Sequence, residues 1–138
     1  MDTASANKAT VRRFIDEYQT GGDKVVLRAT VSPRLVNRTP MQEDPPGGVA
    51  EVEGIFDMFH AAFADFAVEV HQQLAEGDRV MTYKTFTGTH TGEFQGIPPT
   101  GRPVRFAVMD IVRLEDGQIV EHWGLVDQLG LMRQLGVR

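Results

Sequence analysis

The chain contains no cysteine, which excludes disulfides, thiol nucleophiles and zinc–thiolate sites and makes an intracellular, cytoplasmic location the expectation. No run of about eighteen apolar residues occurs, and Met1 to Asn7 shows neither a basic start nor an apolar stretch, so no membrane partner is expected. Nor is there a stripe of basic residues interleaved with aromatics. Lys and Arg number 14 against 19 Asp and Glu, a net charge of −5, and nucleic acid is not an expected partner. The motifs H-E-x-x-H, the phosphate loop and the Rossmann glycine pattern are missing, and His60, His71 and His90 lack partners at ligand spacing. Neither a metal nor a cofactor is therefore expected. There is no repeat, low-complexity tract or linker, and 138 residues make one domain spanning 1–138.

What is present divides into helical and strand-like halves. Val11, Phe14, Ile15 and Tyr18 recur at helical spacing from Asn7 to about Thr20, where Gly21-Gly22 stops the run. A short helix over Asp23 to Thr30, closed by Ser32-Pro33, and a brief strand over Arg34 to Thr39 follow. Pro40 to Gly48 reads as an irregular loop suited to the rim of a pocket. Val52, Ile55, Phe56, Phe59 and Phe63 form one aromatic stripe on a helix over Val49 to Phe63. After Asp65 the period becomes two, and Phe66–Leu74, Arg79–His90, Val104–Leu114 and Ile119–Val126 are strand candidates in an antiparallel meander. The expected fold is α+β, a curved antiparallel sheet with the N-terminal helices on its concave face, enclosing a small-molecule cavity.

Two ionisable residues sit on otherwise apolar strand faces. Asp110 shares a face with Phe106, Val108, Val112 and Leu114, and His122 shares one with Val120, Gly124 and Val126. A three-residue loop with a left-handed Gly117 and a bulge pairs Leu114 with Gln118 and sets Asp110 directly opposite His122. Such a pair can be structural. It can equally supply an acid and a base, because a carboxyl in an apolar cavity has a raised pKa and can stay protonated as a donor.

Other residues are candidates for the cavity wall. Tyr18 and Asn37 can bind a ligand's oxygen at the mouth, or serve as ordinary amphipathic and capping residues. Phe59, Val108 and Gly124 lie on the inward faces. Met81, Tyr83 and Thr85 alternate with Lys84 and are read as lining the cavity, with plain core as the alternative. Asp127 is placed as the N-cap of a closing helix over Gln128 to Leu135. Gly96-Ile97-Pro98-Pro99-Thr100-Gly101 is either a cover over the pocket or a strand connection.

With these residues in view the chain resembles the SnoaL-like polyketide cyclases and ester cyclases, within the superfamily of cone-shaped folds related to nuclear transport factor 2. The resemblance runs from about Lys8 to Gly136. It rests on Gly88-Thr89-His90-Thr91-Gly92-Glu93-Phe94 with Gly96 to Gly101, on Asp116-Gly117-Gln118-Ile119-Val120-Glu121-His122-Trp123, and on Asp127-Gln128-Leu129-Gly130-Leu131 with Gln134-Leu135-Gly136. It implies intramolecular aldol ring closure without a cofactor. The family's cavity histidines correspond to His122 and Asp110, a glutamine companion to Val108, and the acid/base carboxylate two residues after the histidine to Gly124. Asp110 also resembles the aspartic acid that ketosteroid isomerases keep protonated to donate to an oxyanion.

The expected function is cofactor-independent acid/base chemistry by Asp110 and His122 on a small, mostly apolar carbonyl or hydroxylated molecule, whether cyclisation, isomerisation, dehydration or epoxide opening. A non-catalytic binding protein on the same fold is the alternative, favoured by Gly124. A dimerisation module is the third reading. Met109, Ile111, Trp123 and Leu125 on the outer face lead to a homodimer as the expected assembly.

Overall fold

A computed structural model describes residues 2–137. Asp2 accepts from the Ser5 N–H and opens helix α1 (Thr3–Arg13), which runs without a break into a π-helical segment, Phe14–Thr20. The wider π winding leaves Phe14, Ile15, Tyr18 and Gln19 all buried, so the segment turns two adjacent pairs of residues inward. Asp23 caps α2 (Lys24–Thr30) through the N–H groups of Val25 and Val26.

Strand β1 (Val31–Asn37) begins directly after α2, three residues earlier than expected. Ser32-Pro33 does not close a helix here. It lies inside the strand, and proline is tolerated because β1 is an edge strand. After the irregular loop come α3 (Gly48–Ala62), β2 (Phe63–Glu76), β3 (Arg79–His90), β4 (Pro103–Glu115), β5 (Gln118–Val126) and α4 (Gln128–Gln134). Asp127 caps α4 by accepting from the Gly130 N–H, as expected.

The five strands form one open, curved sheet in the order β1-β5-β4-β3-β2. The four long strands make the expected antiparallel meander, and β1 joins the far edge parallel to β5. Asn37 is thereby the direct partner of His122. Register irregularities in β2 at Ala64/Ala67 and Val70/Gln72 bend that strand, and the helices occupy the hollow. Phe56, Phe59, Phe63, Phe66, Phe86 and Phe106 pack there, with Phe59 stacked on Phe66 at 5.4 Å and edge-on to Phe86 at 5.4 Å. Such pairs contribute about 0.5–1.5 kcal/mol each beyond the area they bury.

The β4–β5 register departs from the expected one. Asp116 and Gly117 both have positive φ, 50° and 75°, which is a two-residue hairpin turn pairing Glu115 with Gln118. The bulge falls one step later, where Leu114 pairs with Ile119 and Arg113 with Glu121, so Val120 is the extra residue. Asp110 is consequently opposite Gly124, and His122 opposite Val112. Both still face the hollow, because bulge and turn together restore the parity that a two-residue turn alone would lose.

Residues 91–102 do not cover a pocket. Gly92 donates to the Ala62 carbonyl, and Phe94, 1% exposed, wedges against Phe59 and Phe63. A Cβ at Gly92 would lie 2.2 Å from the Ala61 carbonyl oxygen, so only glycine permits this approach. The segment connects β3 to β4 and adds Phe94 to the phenylalanine cluster. Among the described residues no helix is long and apolar enough to cross a membrane.

Candidate active site

Between the helices and the sheet lies a cavity of about 120 Å³. Phe14, Ile15, Val52, Ile55, Phe56, Phe59, Phe86, Val108 and Val112 supply its apolar wall, and Thr39 and Met41 of the irregular loop line its exposed end. Its polar groups are Gln19, Asn37, Lys84, Asp110 and His122. Of the residues expected to line it, Asn37, Phe59, Val108, Asp110, His122 and Gly124 do so.

Tyr18, Met81 and Tyr83 do not. Tyr18 is 2% exposed but packs between Phe14 and Phe56, with ring centroids 5.6 and 5.7 Å away, and its buried hydroxyl has no hydrogen-bond partner. Burial, with Asp57 and Glu53 adding to it, pushes its pKa up. Met81 and Tyr83 are on the outer face, where Tyr83 is 40% exposed and lies against the His71 ring at 4.8 Å. Thr85 is on that face too, bonded to His71 Nε2 at 2.6 Å.

The reason is register. Directly paired strand residues share a face, and β3 pairs Thr82 with Asp110 and Lys84 with Val108. The inward set is therefore Val80, Thr82, Lys84 and Phe86. Lys84 is 2% exposed as a residue, and its ammonium lies 2.8 Å from Asp110 Oδ2 and 3.4 Å from Gln19 Oε1.

Lys84 changes the expected chemistry of Asp110. Burial alone would push the carboxyl's pKa up, but the Lys84 charge, followed by His122, holds it down at about 2. Asp110 is thus a carboxylate near neutrality and not the protonated donor expected from its apolar strand face. The missing datum was the buried cation.

His122 reaches Asp110 diagonally, with Nε2 3.6 Å from Oδ2, too long for a hydrogen bond but close enough for charge. Gly124 makes that posture possible. A Cβ there would sit 2.8 Å from His122 Cε1 and 3.0 Å from Nε2, so the ring lies over the space that a side chain would fill. On its other side, Nδ1 is 2.8 Å from Asn37 Oδ1. The Asn37 amide is oriented by its neighbours, Nδ2 donating to Glu51 Oε2 at 2.9 Å and Oδ1 accepting from the Thr39 N–H at 3.1 Å. Nδ1 must then carry a proton, so that in the neutral ring it is Nε2, beside the cavity, that keeps the lone pair.

The arrangement contains a base nitrogen, a carboxylate that can stabilise it once protonated, and an ammonium with one N–H left after Asp110 and Gln19 are served. Lys84, Gln19 and Glu51 were missed by sequence reasoning. The inward parity of Val80, Thr82, Lys84 and Phe86 was a usable signal for Lys84; Gln19 depends on the π winding, and Glu51 on a contact 14 residues away.

Comparison with known proteins identifies the family. Residues 9–135 match the model of the family described as SnoaL-like polyketide cyclase. The aklanonic acid methyl ester cyclase of Streptomyces peucetius is 29% identical over 131 residues, covering 91% of this chain and 88% of that protein, and the nogalonic acid methyl ester cyclase of Streptomyces nogalater is 27% identical over 107 residues, covering 77% and 80%. Among solved structures, IdmH from Streptomyces antibioticus superposes with a TM-score of 0.82 at 34% identity, covering 95% of this chain and 99% of that one. TsrD from Streptomyces laurentii reaches a TM-score of 0.88 at 26% identity over 100% and 99%. A cone-shaped α+β domain with an apolar cavity and an ionisable cluster on β3, β4 and β5, matched over residues 9–135, this chain belongs to the SnoaL-like polyketide cyclase family.

Proposed function

We propose that this protein closes a carbon ring in a polyketide methyl ester by an intramolecular aldol addition, with His122 as base and Lys84 as the donor to oxygen. The observation that carries this reading is His122 on the wall of an apolar cavity, with Nδ1 held by Asn37 and Nε2 beside the Lys84–Asp110 pair. In the first step Nε2 removes a proton from the carbon between two carbonyl groups, and the electron pair moves onto a carbonyl oxygen. The free N–H of Lys84 stabilises that oxygen. The enolate carbon attacks the ketone carbon, and the new alkoxide takes the proton back from Nε2. No group leaves, so product and substrate are isomers.

Charge supports the assignment. In a base that starts from the neutral ring, Asp110 and Lys84 cancel before reaction, and proton removal adds the imidazolium and the enolate together, so the site keeps the same net charge throughout. A cavity of about 120 Å³ holds about one ring, given that about 150 Å³ admits benzene. The reacting end therefore lies inside and the rest of the molecule extends past Thr39 and Met41. Incubation with aklanonic acid methyl ester, no other reagent being added, should yield a new isomer of unchanged mass by chromatography and mass spectrometry; binding without conversion would favour the non-catalytic alternative.

Gly124 is the observation that favours that alternative, since the resemblance places the family's carboxylate there. Asp110 directly opposite offsets this by presenting a carboxylate to the same space from the neighbouring strand. Gly124→Ala is expected to keep the fold but displace the His122 ring, lowering turnover by roughly tenfold or more with little change in melting temperature. Turnover equal to that of the unaltered protein would show that the ring's position is unimportant. Gly124→Asp is for the same reason no simple restoration, because its carboxylate must evict the imidazole.

The protein is further proposed to work as a homodimer joined through the outer sheet face. Leu74, Tyr83, Met109 and Leu125 are 52, 40, 45 and 77% exposed there, and an apolar patch of this kind is uncommon on a monomer. Light scattering at micromolar concentration should give twice the chain mass, and a monomer would refute the interface.

A further inference from the structure

We infer that Glu51 is a positioning residue that selects the tautomer of His122 through Asn37, an inference that rests on His122 acting as base at Nε2. Glu51 is 4% exposed near the start of α3 and accepts two hydrogen bonds, from the Gly47 N–H to Oε1 at 3.2 Å and from Asn37 Nδ2 to Oε2 at 2.9 Å. The first bond caps a helix whose N-cap, Gly47, has no side chain to do so. Capping needs one oxygen. The second oxygen is spent on Asn37, the residue bonded to His122 Nδ1.

An amide has a donor end and an acceptor end, and nothing in its shape says which faces the histidine. A carboxylate has only acceptors, so Asn37 must turn its NH₂ to Glu51 and its oxygen to His122. The Thr39 N–H, 3.1 Å from the same oxygen, works in the same sense with a neutral and weaker bond. The imidazole responds by placing its proton on Nδ1, and Nε2 is left able to accept one. Glu51 thus decides from outside the cavity which nitrogen is the base.

The test is Glu51→Gln. An amide offers one oxygen to two donors, so if it keeps the bond to Gly47 it turns its NH₂ towards Asn37. Asn37 then reverses, donates to Nδ1, and drives the His122 proton to Nε2. In ¹⁵N NMR of the full chain at alkaline pH without ligand, with the His122 signal assigned by comparison with His122→Ala, the unaltered protein should show mainly the Nδ1–H tautomer. Glu51→Gln should show mainly Nε2–H. Adding Asn37→Asp to Glu51→Gln should restore Nδ1–H, because a carboxylate at 37 can only accept; a mere capping role predicts no change in tautomer in either variant. Nε2–H in the unaltered protein, a reading that needs no variant to fold, would overturn the inference, as would an unchanged tautomer in folded Glu51→Gln. A reversed tautomer should slow ring closure by roughly tenfold or more with little change in KM. Reversal with undiminished ring closure would uphold the positioning role and count against His122 as the base.

Discussion

Lys84→Met is expected to destabilise the fold by about 3–5 kcal/mol at neutral pH, the cost of leaving a buried charge without its partner. Lys84 and Asp110 are 3% and 8% exposed at the side chain and 2.8 Å apart, so each is the other's main counter-charge. The effect should depend on pH in opposite senses in the two proteins. In the unaltered chain the Asp110 pKa is lowered from 3.8 to about 2, which contributes on the order of 2 kcal/mol above about pH 4 that is lost as pH falls through 2. In Lys84→Met burial, the largest cause, is opposed by His122 alone, so the carboxyl's pKa is expected to rise above its unfolded value and protonation to favour the folded state. The gap between the two melting temperatures should therefore narrow as pH is lowered from 7 to about 4. The double variant Lys84→Met with Asp110→Leu should recover most of the loss, since an apolar pair of similar volume replaces a buried ion pair at little cost. A gap independent of pH would mean that Lys84 acts through packing alone.

His122→Ala is expected to behave differently from Asp110→Asn, although the two residues look equivalent in the sequence. Removing the imidazole leaves the Lys84–Asp110 pair intact and opens space at a ring that is 30% exposed, so melting should change little. Ring closure should slow by roughly a hundredfold or more, the usual worth of a general base. Asp110→Asn instead strands Lys84 as an unpaired buried cation, and is expected to lose stability and turnover together. Melting by calorimetry and turnover on the same preparations separate the cases. Equal loss of stability in both would assign the whole cluster to structure.

Much of the fold was legible because strand alternation is a two-sided signal. β3 runs over the residues read from the sequence, and β4 and β5 extend only one residue beyond them at the ends that moved. β1 was misjudged at Ser32-Pro33, since a proline reads as a breaker unless the strand is known to lie at a sheet edge, and that is a tertiary fact. The diagonal offset of Asp110 and His122 was hidden for a related reason. A two-residue turn with a later bulge and a three-residue turn with an immediate one give the same parity, and sequence periodicity reports parity only.

At the site, apolar faces exposed the acid and the histidine but concealed their partners. Lys84 read as a solvent residue because lysine usually is one, although Val80, Thr82 and Phe86 around it were already an inward set. Tyr18 was read as a candidate for the cavity wall because a 3.6-residue period places it on the inner stripe. The π-helical turn brings the next residue to the cavity instead. The raised pKa expected for Asp110 followed correctly from burial, and failed because a pKa is set by neighbours that only the sheet brings together.

The most direct test of His122 as the base is an imidazole titration of His122→Ala with aklanonic acid methyl ester as substrate. Removing the side chain leaves a hole of the right shape beside Asp110, and free imidazole can return the missing lone pair. Ring closure is expected to be slow without imidazole and to rise with the concentration of its neutral form. Ring closure by folded His122→Ala at the rate of the unaltered protein, with no imidazole present, would contradict it.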